Sequence, residues 1–210
     1  MTDKLITPPI LGAVTAAELR SWLRDVADND ATLDELISAA SETFERETGR
    51  AVMEQGRRMM LDNWPVNQAA IGEWDGNRQS AFAQSAARAI ELPVAPLIGV
   101  TAITLFNADN QAEVIDPSRY YVDTHSEPGR ITMVVGGGIP VSGRAVNGIQ
   151  IDYRAGYESV ALVPMPIKLA IKQLAAHFYE NRESVTEMTL ENAPQSFCAT
   201  VRRYRIWPGV

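Results

Sequence analysis

Few residues in this 210-residue chain could do acid–base, nucleophilic or metal chemistry near neutral pH: two histidines, His125 and His177, and one cysteine, Cys198. Neither histidine stands at metal-ligand spacing from the other or from Cys198. His177 falls at the edge of an apolar helical stripe, which suits a packed or hydrogen-bonded imidazole. Cys198 has no activating base nearby in sequence and reads as a small buried hydrophobe. Gly136–Gly137–Gly138 matches neither GxGxxG nor a P-loop, and it lies between a β segment and a proline-containing loop, a poor setting for phosphate. The carboxylate pairs Asp34–Glu35 and Glu45/Glu47 belong to the wet side of a helix. No catalytic, cofactor-binding or metal constellation assembles from these residues.

The sharper cluster closes the chain. Arg202, Arg203, Tyr204, Arg205 and Trp207 combine the residue types in which protein interface hot spots are enriched. Phe197, Val201 and Tyr204 fall at i, i+4 and i+7, so a short helix over 195–204 would present one apolar edge. These seven residues form a candidate docking segment. So short a helix is marginal alone in water, which predicts a segment ordered only on its partner and a core that stays soluble without 195–210. A net charge of −7 argues against general adhesion to nucleic acid.

The elements that must position this segment begin with a long helix over 164–182. Ile167, Ala170, Ile171, Leu174, Ala175 and Phe178 form its apolar stripe, and Pro166 suits its first turn. Before it, Ile149–Gln150–Ile151–Asp152–Tyr153–Arg154 alternates as a half-buried strand does. Near the start, 1–14 reads as an extended arm. Thr15–Ala16–Ala17–Glu18 and Thr32–Leu33–Asp34–Glu35 read as capping boxes. They open a helical pair over 15–48, with Leu19, Trp22, Leu23 and Val26 as the first stripe. The second helix stops at Gly49, and so short a join predicts antiparallel neighbours. Between 50 and 155 the texture is β, with strands expected over 57–61, from Ile90, and over 100–107, 112–115, 120–123 and 130–135. An insertion at 67–89, with a short helix over 80–89, interrupts it. Residues 184–210 read as a linker and the docking segment.

The length suits one ample domain, and 46% hydrophobic with 21% charged residues is ordinary for a globular protein. No apolar run approaches a membrane span, and the first ten residues lack the order of a signal peptide. A single cysteine fits a reducing cytoplasm. The fold class expected is α+β: an N-terminal helical pair, a small antiparallel β portion, a long C-terminal amphipathic helix and a short tail helix.

Several segments, in their order, carry a resemblance. They are Leu33–Asp34–Glu35–Leu36–Ile37, Glu47–Thr48–Gly49–Arg50, Leu61–Asp62–Asn63–Trp64–Pro65, Leu92–Pro93–Val94–Ala95–Pro96–Leu97, Asp116–Pro117–Ser118–Arg119–Tyr120, Glu127–Pro128–Gly129–Arg130–Ile131, Tyr153–Arg154–Ala155–Gly156–Tyr157, Val163–Pro164 and Tyr179–Glu180–Asn181–Arg182–Glu183. Over 31–183 the chain resembles the head–tail connector, or adaptor, family of long-tailed bacteriophages, prophages and gene transfer agents. The resemblance implies a structural, non-enzymatic subunit of the virion neck, made in the host cytoplasm and needing no cofactor. It further implies a dodecameric ring that joins the portal to a stopper or tail protein, with DNA passing through its channel. The seven tail residues then become candidates for docking on the portal. Another neck component, a stopper or tail-completion protein, is the alternative; a small-ligand enzyme has no residue set behind it.

The apolar stripe yields a first test. Leu174→Asp would place a charge on the buried face of the long helix at a cost of about several kcal/mol, enough to abolish soluble folding. Expression and thermal unfolding of the variant check this, and parent-like stability would overturn the helix assignment.

Overall fold

The structure is a computed structural model that describes residues 2–23, 29–65, 89–134, 138, 140–181 and 193–206. Outside these lie most of the 67–89 insertion with its expected helix, Val26, Gly136 and Gly137, residues 184–192 of the expected linker, and Trp207. Four helices and two antiparallel sheets appear among the described residues, so the fold is mixed α+β. The chain divides into two compact units, each drawn from separated stretches.

One unit joins Met1–Pro8 to Gln55–Ala155. Its larger sheet contains β1 (Thr2–Thr7), β2 (Gln55–Leu61), β8 (Ile149–Ala155), β4 (Leu97–Phe106) and β5 (Ala112–Val114), in that spatial order. Strand β8 is central, and its alternation buries Ile149, Ile151, Tyr153 and Ala155. Ile151 stands opposite Met59 on one side and Ile103 on the other, a buried apolar rung across three strands. The opposite face carries a cross-strand ion pair, with Arg58 Nε donating to Asp152 Oδ1 at 2.6 Å and Nη2 to Oδ2 at 3.1 Å. The stretch read as an arm is strand β1, hydrogen-bonded along β2. Asp3 holds it there: its Oδ1 accepts from the Tyr153 hydroxyl at 2.7 Å and its Oδ2 from Arg57 Nε at 2.8 Å. Burial, with the Asp3 carboxylate beside it, pushes the Tyr153 hydroxyl far above its ordinary range, so it stays a donor.

Two strands start earlier than their patterns suggest. Strand β2 takes in Gln55 and Gly56, and a Cβ on Gly56 would come within 3.0 Å of the Thr7 side chain. Strand β4 starts at Leu97, where two register shifts interrupt the alternation before Ala102.

The β portion is also two sheets rather than one. Strands β3 (Ile90–Glu91), β7 (Arg130–Met133) and β6 (Tyr120–Asp123) form a separate three-stranded sheet. Its β6–β7 connection is locked by Asp123, whose carboxylate accepts from Ser126 Oγ at 2.7 Å, Arg130 Nη2 at 2.7 Å, and the backbone N–H groups of His125 and Ser126. In that connection Gly129 must be glycine, because a Cβ would lie 2.5 Å from the Leu97 side chain.

The other unit joins Pro9–Glu54 to Gly156–Trp207. It contains α1 (Ala16–Leu23), α2 (Asp30–Thr48), α3 (Met165–Glu180) and α4 (Gln195–Tyr204). Its core gathers Leu19 from α1; Leu33, Ile37, Ala40 and Phe44 from α2; Ile167, Ala170, Ile171, Leu174 and Ala175 from α3. Leu174 is 0% exposed. Pro166 lies in the first turn of α3, where its missing N–H has no intrahelical partner to lose. The α1 stripe is narrower than its spacing suggests: Leu19 is buried, while Trp22 is 49% exposed.

The caps differ in part from the sequence reading. Thr15 Oγ1 accepts from Glu18 N at 3.2 Å, but the Glu18 carboxylate reaches Lys172 of α3 at 3.2 Å instead of closing a box. Helix α2 is capped by Asn29, whose side chain accepts from Ala31 N, so Thr32 lies inside the helix and caps nothing. An asparagine one turn earlier intercepts the free donors first. Gly49 ends α2 in the left-handed region at φ 70°, its N–H on the Glu45 carbonyl.

The Asp123 lock predicts a pH signature. Hydrogen bonds from Ser126, then Arg130, hold its carboxyl below the usual carboxylate range. The stabilisation is therefore complete above about pH 4 and is lost as pH falls toward the folded-state value. Asp123→Asn should lower the melting temperature at pH 7, with the gap to the parent closing below about pH 4. Melting curves at the two pH values test this; an equal gap at both would refute it.

Candidate interaction surface

The docking segment forms the predicted helix, but its apolar edge faces inward. Phe197 is 1% exposed and Val201 2%, both inside the core of the helical unit. Phe197 meets Phe44 of α2 edge-on, with ring centroids 6.3 Å apart and planes at 72°. Ser196 Oγ donates to Gln173 Oε1 of α3 at 2.8 Å, near the start of α4. Beyond the end of α4, Ile206 N donates to the Thr48 carbonyl at 2.8 Å, and Arg50 Nε donates to the Tyr204 carbonyl at 2.6 Å. The Arg50 guanidinium also lies 5.7 Å from the Tyr204 ring centroid. Thr48 is itself fixed, its hydroxyl donating to the Phe44 carbonyl at 2.7 Å.

Of the seven candidate residues, Phe197 and Val201 are therefore withdrawn from any docking surface. An apolar helix edge buries itself against the nearest apolar surface, here the Phe44 side of α2. Tyr204 is half-buried, and Arg202, Arg203 and Arg205 are exposed. The Arg203 guanidinium lies 6.0 Å from the Tyr204 ring centroid. Trp207 lies outside the described residues.

The remaining candidates belong to different units, His125 to the β unit and His177 and Cys198 to the helical one. His125 is exposed, and only its backbone N–H serves the Asp123 turn. His177 Nδ1 lies 3.2 Å from Asn181 Nδ2 at the end of α3. Cys198 is partly buried against the helical core. No group of three or more metal-ligating side chains occurs among the described residues. Among the carboxylates read as solvating, Glu45 is a correction: its Oε1 accepts from Val52 N at 2.7 Å, capping the turn after α2. Asp34, Glu35 and Glu42 are exposed on α2. Asp34 and Glu35 thus lie on the wet side that the sequence suggests, joined there by Glu42.

No known protein family matches this sequence, and no curated protein matches it. Similar folds occur among solved structures of gene transfer agent (GTA) particles. A chain in the virion of a native GTA particle is similar with a TM-score of 0.75 and 23% identity, covering 100% of this chain and 98% of that one. A chain in the neck of an empty GTA particle, computed with C6 symmetry, gives 0.74 and 24%, with coverage of 100% and 98%. A third, in the neck of a native GTA particle computed with C12 symmetry, gives 0.73 and 23%, with the same coverage. At such identities the likeness establishes a shared fold along the whole chain.

The burial of α4 reverses the expectation for a truncated protein. Phe197→Ala should destabilise the fold by about 3–5 kcal/mol, the usual range for emptying a buried aromatic site. Removing 195–210 should leave an insoluble or molten product. Chemical denaturation of the point variant and solubility of the truncated chain test both; a stable, soluble truncation would show that α4 is dispensable to the core.

Proposed function

We infer that this chain is a structural subunit of a virion neck, present as a ring that adapts the portal to the next neck or tail component. The carrying observation is likeness over the full chain to neck chains, one of them in an assembly computed with C12 symmetry. The ordered motifs over 31–183 support the same reading. Twelve copies match that symmetry, and the genome passes through the channel the ring encloses. The net charge of −7 suits such a conduit, since acidic walls repel phosphates and a moving duplex does not stick. No bond is made or broken in this role. Portal attachment is no longer assigned to an apolar edge of α4, because Phe197 and Val201 belong to their own subunit's core.

Cryo-microscopy of particles built with this chain tests the placement. A single twelve-fold ring between portal and tail is expected. Copies at the distal tail tip or in the capsid lattice would overturn it.

A further inference from the structure

A ring of identical subunits closes through a heterologous contact, so each copy must present two different surfaces that fit one another. The helical unit carries such a pair. On α2, Asp34 and Glu35 are exposed, and neither has an ion pair among the described residues. On α4, Arg202 and Arg203 are exposed, again with no ion pair among the described residues. The two sets are held apart on a common ruler. Ile206 is tied to Thr48 at the C-terminal end of α2, whereas Asp34 and Glu35 lie near the opposite end. Arg202 and Arg203 lie between Phe197, which packs on Phe44, and Ile206, which is tied to Thr48, so their level is ten to fourteen residues of helix from Asp34, about 15–21 Å at 1.5 Å per residue. That exceeds the Debye length of about 10 Å at 0.1 M salt, so the two sets do not neutralise one another within a copy.

We propose that Arg202 and Arg203 of one copy dock on the outer face of α2 of the next, at Asp34 and Glu35. The same acid-to-base contact repeats around the ring. This rests on the ring reading above and adds the surfaces that close it. The partner is a second copy because the matching counter-charge is on the chain itself, with a spacing that forbids self-pairing and favours head-to-tail addition. The rigid seating of α4 supports it further. The backbone that carries the arginines is already fixed by Phe197 and by the Thr48 carbonyl, so only their side chains are ordered on contact, which lowers the entropic cost of association.

The test uses the full chain in assembling particles, with two charge-reversed variants. One carries Arg202→Glu and Arg203→Glu; the other carries Asp34→Lys and Glu35→Lys. All four positions are exposed, and melting temperatures near the parent's confirm that each variant folds. Expressed singly, each variant sets like charges against each other at every junction, and neck rings should fall at least about tenfold, as for a 1.4 kcal/mol loss. Expressed together, they can alternate around an even-numbered ring with every junction complementary, and rings should return. Rings formed by either variant alone at the parent's level would overturn the proposal while leaving the ring reading intact. If the arginine variant fails and the mixture does not rescue it, the arginines face the portal or DNA instead, which also overturns it. A parent chain that forms no ring would reject the functional reading itself, a result separate from either of these.

Discussion

The contact of Phe44 with Phe197 decides how the end of this chain can be used. An aromatic pair buried edge-to-face joins α4 to the middle of the helical unit and makes the last helix part of the hydrophobic core. Once that edge is buried, the neighbouring side chains have fixed directions. Val201 follows Phe197 inward, and Arg202 and Arg203 are left outward. The Thr48 and Tyr204 carbonyls then receive donors that hold the strand of chain leaving the helix. Without the aromatic pair those hydrogen bonds would be exposed single contacts, each worth about 1 kcal/mol.

The β unit solves a related problem with polar groups. Its first strand buries little apolar surface of its own: Leu5 and Ile6 are exposed, and only Asp3 among its residues is even half-buried. The strand is held by backbone pairing with β2 and by one carboxylate that accepts from both Tyr153 and Arg57. Burial keeps Tyr153 protonated, so the hydroxyl remains able to donate. Asp123 does comparable work in the smaller sheet, collecting five donor atoms at one turn. In both places an aspartate substitutes for apolar burial in fixing the backbone.

What could be read from the residues follows from how periodicity works. The unbroken alternation of Ile149 to Ala155 and the stripe from Ile167 to Ala175 appear where the spacing put them. The starts of β2 and β4 were obscured because Gly56 carries no side chain to alternate and the register shifts near Gly99 break the period. Thr32 and Glu35 had the spacing of a capping box, but spacing does not say that Asn29 lies one turn upstream in the right conformation. The candidate segment shows the deeper limit. Phe197, Val201 and Tyr204 correctly marked an apolar helix edge, yet period reveals a face and not what covers it. From spacing alone, Asp34 and Glu35 mark only a wet helix face, for a similar reason. Exposed carboxylates are common, and their meaning depends on where the basic residues stand, which only the fold supplies.

Each unit is assembled from pieces far apart in the chain, and this has a consequence for timing on the ribosome. Strand β1 leaves the ribosome first, but β8, the strand that joins β2 to β4, is among the later segments to emerge. The helical unit waits longer still, since Phe197 and Val201 complete a core begun by Ala13 and Val14. Neither unit can close cooperatively while most of the chain is still being made. The core of the helical unit therefore forms only after α4 has been made.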